Sequence, residues 1–251
     1  MAIWPAALAD FVRASASLVA DRDMQQRAES KFVVSEATAA ALVLALHDDF
    51  AILPAGDALV ASYRSLYFDT DALSFFHAHR CGRRIRHKVR IRHYPDRELS
   101  VLEVKTRRGK HSTAKVRCPR QYGDSTFGAA DLAFVRQHCG PTDDLIPQAW
   151  IAYRRVTLLG LTSPERVTID LQLEVWRATG HGRLQRAVVI EVKQPRLDRH
   201  GAAMHTLRAA GCRPGWMSKY CTAIALTSPD VRANQLMQQM RRLKAVGTWT
   251  H

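Results

Sequence analysis

Arg84-Ile-Arg-His-Lys-Val-Arg-Ile-Arg-His93 is the stretch that decides how this chain folds. Successive side chains of a β-strand point to opposite faces. In extended form Arg84, Arg86, Lys88, Arg90 and Arg92 therefore share one face, with Val89 and Ile91 on the other. The alternation recurs outward from this segment. Glu103 and Lys105 oppose Leu102 and Val104, Lys115 and Arg117 flank Val116, and Tyr153 pairs with Arg155. Arg166, Thr168 and Asp170 alternate with Val167, Ile169 and Leu171, and Glu191 and Lys193 with Ile190 and Val192. Upstream, Glu29 and Lys31 share a face opposite Phe32. A solvated strand face normally mixes small polar residues with both signs of charge. These faces are dominated by Arg and Lys, with a few Glu at matching positions. If the strands close into a barrel with their apolar sides outward against helices, the charged faces line its interior. Like charges crowded into a cavity repel and are poorly solvated, so such an interior demands water and a compensating polyanion. A phosphate chain meets that demand.

The surrounding sequence predicts short strands at 30–34, 63–68, 84–93, 100–105, 115–117, 149–157, 166–176 and 187–193, separated by turn residues. Helices are expected over 1–24, 37–47 (capped by Ser35), 128–138, 198–210, 218–226 and 230–246, with a loop at 139–147. Strands in sequence with helices gathered at both ends indicate an α+β fold built round an antiparallel β-barrel with flanking helices. Residues 1–25 read as an N-terminal helical extension and 26–251 as one domain.

The 251 residues are 47% hydrophobic, enough for a sizeable core. The net charge of +14 points to a polyanionic partner. Nucleic acid is not the expected one, because the cations follow strand parity instead of clustering on a surface helix. No run approaches the roughly 20 apolar residues of a membrane span. The apolar stretch Ala6 to Ala20 carries Asp10 and Arg13 and lacks the marks of a signal peptide, so a cytoplasmic location is expected. Five widely spaced cysteines without a CxxC pair suit reduced thiols. His77, His79, His87 and His93 are close in sequence, but their parity and spacing favour packing roles over a metal site. Trp150, Trp176 and Trp216 read as core or rim residues.

Carboxylates on the cationic faces would repel polyphosphate unless a cation intervenes. A hard divalent ion, Mn²⁺ or Mg²⁺, is commonly held by one or two carboxylates together with phosphate oxygens. Glu191 is the leading ligand candidate, followed by Glu29 and Glu103, with ion pairing to neighbouring Lys or Arg as the alternative reading.

In order, the segments Glu29-Ser-Lys-Phe-Val-Val-Ser35, Ser65-Leu-Tyr-Phe-Asp69, Arg86-His-Lys-Val-Arg-Ile-Arg92, Leu102-Glu-Val-Lys-Thr106, Tyr153-Arg-Arg155, Arg166-Val-Thr-Ile-Asp170, Ile190-Glu-Val-Lys193 and Ser218-Lys-Tyr220 resemble the VTC (vacuolar transporter chaperone) polyphosphate polymerase domain. That family belongs to the CYTH-like, triphosphate tunnel metalloenzyme superfamily. The resemblance implies an eight-stranded tunnel in which Lys31, Arg90, Arg92, Lys105, Lys115, Arg155, Arg166 and Lys219 contact phosphate. Tyr153 and Ser218 would add hydrogen bonds, Lys88 and Lys193 lie on the same faces, and Glu191 would hold the metal. Where the family often has a lysine, three residues before the position of Lys219, this chain has Trp216. The family's SPX regulatory domain and membrane helices are not expected within these residues. The implied reaction transfers the γ-phosphate of ATP to a growing inorganic polyphosphate chain. The alternatives are hydrolysis of tripolyphosphate or a nucleoside triphosphate in the same tunnel, and a polyphosphate-binding module without turnover.

Overall fold

The alternating segments do form strands. The structure is a computed structural model that describes residues 7–24, 27–109, 112–228 and 231–250. Its strands are β1 (Ala28–Ser35), β2 (Phe50–Ile52), β3 (Ala61–Asp69), β4 (Ile85–Tyr94), β5 (Leu99–Arg108), β6 (Ser112–Arg120), β7 (Ile146–Gly160), β8 (Arg166–Arg177), β9 (Gly180–Gln185), β10 (Ala187–Gln194) and β11 (Thr248–Thr250). Among the described residues the helices are α1 (Ala16–Asp21), α2 (Glu36–Ala45), α3 (Ser74–Arg80), α4 (Ala129–Cys139), α5 (Ala202–Ala209), α6 (Lys219–Thr227) and α7 (Met237–Val246). The fold is α+β, with one antiparallel sheet whose main path runs β1-β10-β8-β7-β3-β4-β5-β6.

That path contains all the strands the alternation predicts. The short β2, β9 and β11 hang off it and carry no alternating charge, so the pattern did not mark them. Several boundaries also differ. The expected N-terminal helix is broken: residues 7–9 are helical, Arg13 bridges to Ile52, and α1 begins only after its Ser15 cap. Residues 1–6 of that expectation lie outside the described residues. The expected loop at 139–147 ends early, because β7 starts at Ile146. In the last expected helix Asp230 lies outside the described residues, and the α-helical turns begin at Met237 after a 3₁₀ turn.

The sheet curls. β1 and β5 are six strands apart along the path, about 29 Å if the sheet were flat at ~4.8 Å per strand. Yet the carboxylates of Glu29 and Glu191 and the ammonium of Lys31 all act on Lys105, and Lys31 acts on Lys88. Among the described residues no strand ladder joins β1 to β6. The barrel is thus split along one seam. At this seam the loop before α6 reaches β1, where Gly215 N donates to Lys31 O at 2.8 Å.

Two of the three hydrophobic clusters coat the outside of the strands. Phe32, Val34, Val167, Ile169, Ile190 and Val192 pack beneath α2 and α5, together with Leu8 and Phe11. Leu66, Phe68, Val89, Ile91, Leu102 and Val104 pack against α3 and α4 through Phe75 and Val135. The third lies within the curl. On β7, β8 and β10 the inward faces become apolar toward one end, at Ala149, Ile151, Leu173, Val175, Ala187 and Val189, and α6 covers them with Tyr220, Ala223 and Ile224. The expected charged lining therefore extends along only part of the interior. A β-bulge between Ala152 and Arg154, with Gln172 at φ 52°, marks where β8 changes from Asp170 to Leu173 on the inner face.

Asp69 ties this end together. It is fully buried, accepts from Thr70 N and Phe75 N at 2.8 Å and Phe76 N at 2.9 Å, and receives the Tyr220 hydroxyl at 2.7 Å. One carboxylate thus satisfies the exposed N–H groups at the start of α3 and fixes α6 inside the curl. Asp69→Ala should lower the unfolding free energy by about 2–4 kcal/mol, since it strands several buried donors at once. Chemical denaturation checks this, and an unchanged midpoint would contradict the assigned role.

Candidate functional site

The inward faces of β1, β10, β8, β7, β4, β5 and β6 bring the predicted cations together round three carboxylate centres. The first is Glu103, only 1% exposed. Arg90 Nε donates to its Oε2 at 2.6 Å, Arg117 Nε reaches Oε1 at 3.2 Å, and Lys115 Nζ contacts the same Oε1. Arg92 Nε lies 4.0 Å from Oε2. Burial would raise the Glu103 pKa, but Arg90, Arg92 and Lys115 outweigh it and hold the carboxyl well below the usual carboxylate range. Lys115 is driven down to about 7, chiefly by burial.

The second centre is Asp170, 2% exposed. Arg155 grips it bidentately along one edge of its guanidinium, Nε donating to Oδ1 at 2.5 Å and Nη2 to Oδ2 at 2.9 Å, while Lys219 Nζ from the first residue of α6 meets Oδ2. Burial opposes ionisation here too, and again loses to the adjacent cations. Aromatic rings line the space between these centres. Tyr63 stacks on Tyr153 at 5.1 Å, Arg92 and Arg155 lie over the Tyr63 ring, and Lys219 lies 4.7 Å from the centroid of Tyr153. Tyr153 OH accepts from Arg92 at 2.9 Å, and Tyr67 OH from Arg90 at 2.7 Å. Burial raises the Tyr67 pKa, but Arg90, Arg92 and Lys88 bring it down to about 8.

The third centre is Glu191 with Glu29. Lys31 Nζ stands 3.3 Å from Glu191 and 4.0 Å from Glu29, and Lys193 Nζ lies 3.1 Å from the other Glu191 oxygen. Lys31 keeps 30% of its side chain exposed, as expected for a group lining a wet channel. Burial pulls Lys193 down to about 8. The centres communicate. Asp170 acts on Lys31, Glu191 acts on Lys219, and Arg166 feels both Tyr63 and Arg155.

Among the described residues no three His, Cys, Asp or Glu side chains form a cluster suited to a metal, so an all-protein cage is absent there. Glu29 and Glu191 nevertheless suit a divalent ion that takes its remaining ligands from phosphate and water. Thr168, opposite Glu191 in register, buries an Oγ1 with no partner, as a site awaiting a ligand would. Glu103 suits that role less well. It is 1% exposed and bound by Arg90, Arg117 and Lys115, whereas Glu191, though paired with Lys31 and Lys193, is 16% exposed and stands beside the Glu29 carboxylate.

Ser218 is brought to the site, but its Oγ accepts from Cys221 N as the cap of α6. Trp216 sits on the preceding loop, 44% exposed. Trp150 stacks on His93 and beneath Arg64 outside the barrel, and Trp176 stacks on His181. His87 and His93 face outward and bond to Thr106, Ser100 and Ser125. Tyr63 and Tyr67 are site residues that the alternating charge did not mark, while Asp170 and Arg117 were placed on the charged faces without a role. The inward parity of Asp170 was visible beside Arg166. Its partner Lys219 is 49 residues away, and no spacing rule connects the two.

Because Asp170 and Glu103 are held below their unfolded pKa values of about 3.9 and 4.3, their stabilisation is complete above those values. It is lost as pH falls through the folded values. Asp170→Asn and Glu103→Gln should each cost about 3–5 kcal/mol at neutral pH, the penalty for orphaning a buried ion-pair partner, and should flatten the loss of stability between about pH 5 and 2. Urea titrations across that range test both. A variant with wild-type stability at pH 7 would contradict the assignment.

The VTC domain family matches residues 26–127, the part that carries Glu29, Lys31, Lys88, Arg90, Arg92, Glu103, Lys105 and Lys115. No curated protein sequence matches the chain. Among solved structures, it is similar to a Bacillus halodurans protein assigned provisionally as an adenylate cyclase, with a TM-score of 0.52 and 13% identity over 77% of this chain and 94% of that one. It is also similar to a Hippeastrum adenylyl cyclase candidate with a dominant triphosphatase activity, at TM-score 0.51 and 17% identity over 79% and 95% of the two chains. At such identities the likeness is one of fold. The VTC-domain model thus covers residues 26–127, less than half of the chain, and the likeness to the two solved structures is one of fold, the antiparallel sheet curled round an inward-facing charged wall.

Proposed function

We propose that the chain is a metal-dependent phosphotransferase that moves the γ-phosphoryl group of ATP onto inorganic polyphosphate. The observation that carries this reading is the convergence of Lys31, Lys88, Arg90, Arg92, Lys105, Lys115, Arg155, Arg166, Lys193 and Lys219 on one enclosed face. The carboxylates among them, Glu29, Glu103, Asp170 and Glu191, leave a surplus of positive charge. Only an anion with charge distributed along its length neutralises such a face, and a phosphate chain does so.

Phosphoryl transfer demands positioning and neutralisation more than a protein nucleophile. Arg90 and Arg155 are held in place by Glu103 and Asp170. Their guanidinium groups are thereby pre-aimed at phosphate oxygens without reorganisation during the reaction. Tyr153 and Tyr67 hold Arg92 and Arg90 from the other side. Glu191 and Glu29 would hold Mn²⁺ or Mg²⁺, which when bound would neutralise charge on phosphate oxygens. An oxygen of the acceptor phosphate forms the new bond to the γ-phosphorus as the bond to the β–γ bridging oxygen breaks, and ADP leaves with that electron pair. Lys88, Lys105 and Lys115 continue the cationic wall along which an acceptor chain would lie.

The rival reading is hydrolysis, with water in place of the acceptor. It is favoured by the triphosphatase activity of the Hippeastrum protein, which shares the fold. Incubation with ATP, Mn²⁺ and a polyphosphate primer should yield acid-insoluble polyphosphate and ADP. Free phosphate without chains would replace the transferase with the hydrolase. Glu191→Gln should lower turnover at least about a hundredfold while ATP still binds in the absence of metal.

The lysines supply a pH signature. Burial depresses Lys88 and Lys193 to about 8 and Lys115 to about 7, so part of the wall is neutral at pH 8. A bound phosphate chain raises these values and the complex takes up protons. Affinity for ATP should therefore fall between pH 7 and 9. Calorimetry at pH 8 in buffers of different ionisation enthalpy should report proton uptake; proton release would contradict phosphate contact at these lysines.

A further inference from the structure

The loop that leads into α6 is held from two sides. Gly215 N donates to Lys31 O on β1 at 2.8 Å, and Arg242 of α7 donates through Nη1 to Pro214 O at 3.1 Å. Gly215 lets that guanidinium lie across the loop, because a Cβ there would collide with it. Trp216 follows directly, so its backbone is fixed between β1 and α7. The residue is 44% exposed. Trp150 and Trp176 stack on His93 and His181, whereas among the described residues no ring or cation stacks on Trp216. Leaving a large aromatic surface in water forgoes the gain of burying it. On a loop pinned at both sides, such a surface is a platform without an occupant.

Trp216, Gln238, Gln239 and Arg242 line a cleft of about 50 Å³, room for the edge of a ring and not for a whole one. Gln239 is only 5% exposed, yet its Oε1 has no hydrogen-bond partner. The other end of the amide fixes its direction. Thr222 Oγ1 donates to Met217 Sδ at 3.4 Å, which leaves the threonine oxygen to accept from Gln239 Nε2. The free Oε1 therefore lacks a donor, and a buried acceptor without one is costly. A bare aromatic face beside an unmatched acceptor suits a planar base that carries an exocyclic amine, stacking through its face and donating through its edge.

The platform adjoins the phosphate-binding wall. Lys219, three residues further on, reaches Asp170, and three residues span at most about 11 Å. Lys31, whose carbonyl holds Gly215, turns its ammonium toward Glu191. A nucleoside triphosphate has the same layout, with a ribose separating its base from its phosphates.

We propose that Trp216 and Gln239 form a base subsite at the seam, where the adenine ring of the nucleotide stacks on the Trp216 indole and its exocyclic amine donates to Gln239 Oε1. This rests on a nucleoside triphosphate being the phosphate donor, and it adds recognition of the part of that molecule that the cations do not touch. Inosine triphosphate presents a carbonyl where adenine has the amine, so it would meet Oε1 oxygen to oxygen.

Binding of ATP, inosine triphosphate and tripolyphosphate to the full chain, at fixed salt and without metal, tests the subsite. The wild type should bind ATP several-fold more tightly than inosine triphosphate. Trp216→Ala should weaken ATP binding about tenfold, the effect of losing one base–aromatic stack, and leave tripolyphosphate binding within about twofold. Trp216→Phe should recover most of the loss, which separates stacking from damage to the loop. The base subsite is overturned, while the phosphate-binding reading stands, if Trp216→Ala changes neither ligand or weakens ATP and tripolyphosphate alike, or if the wild type binds ATP and inosine triphosphate equally. If the wild type binds none of the three, both readings fall together.

Discussion

Mutual repulsion among lysines and arginines inside a curled sheet is the constraint to which the rest of this structure answers. Such side chains do not share a confined space unless their charge is compensated. The protein compensates part of it internally. Glu103 gathers Arg90, Lys115 and Arg117, Asp170 gathers Arg155 and Lys219, and Glu191 gathers Lys31 and Lys193. Each carboxylate serves more than one cation, so each centre keeps a positive remainder. The remainder is directed inward and is what makes the interior a receptor for a polyanion.

The same constraint accounts for the division of the interior. Apolar residues fill the end of the curl beneath α6, where no counter-charge is needed, and the cations occupy the rest. Lys219 sits at the boundary. It belongs to the helix that closes the apolar end, yet its ammonium turns toward Asp170. Asp69 and Tyr220 hold that helix in place, so the position of Lys219 depends on a bond that never touches the charged site.

Much of this was legible in the chain. A period of two is unambiguous when one parity is Arg and Lys and the other Val, Ile and Leu. For that reason the strands of the main path and the inward direction of Lys31, Arg90, Arg92, Lys105, Arg155 and Lys193 could be read directly. The plug could not. Val33, Val189, Leu173 and Val175 look like any core residues, and nothing local distinguishes an apolar side facing in from one facing out. The bulge at Ala152 to Arg154 changes the parity of β7 against β8, which a rule of strict alternation cannot anticipate. Glu103 drew the eye as a metal ligand because a carboxylate among cations invites that reading; the geometry gives it Arg90, Arg117 and Lys115 instead. Partnerships across long sequence separations, such as Asp170 with Lys219, depend on the three-dimensional path of the chain.

The seam between β1 and β6 gives the molecule a mechanical property that a fully hydrogen-bonded barrel lacks. A closed ring of strands has a girth set by its ladders, and widening it means tearing one of them. A split ring widens or narrows by sliding its two lips past each other while every strand pair stays whole. Here Lys31 stands on one lip and Lys115 on the other, each held by its own carboxylate, Glu191 and Glu103, and among the described residues no strand ladder ties the two lips together.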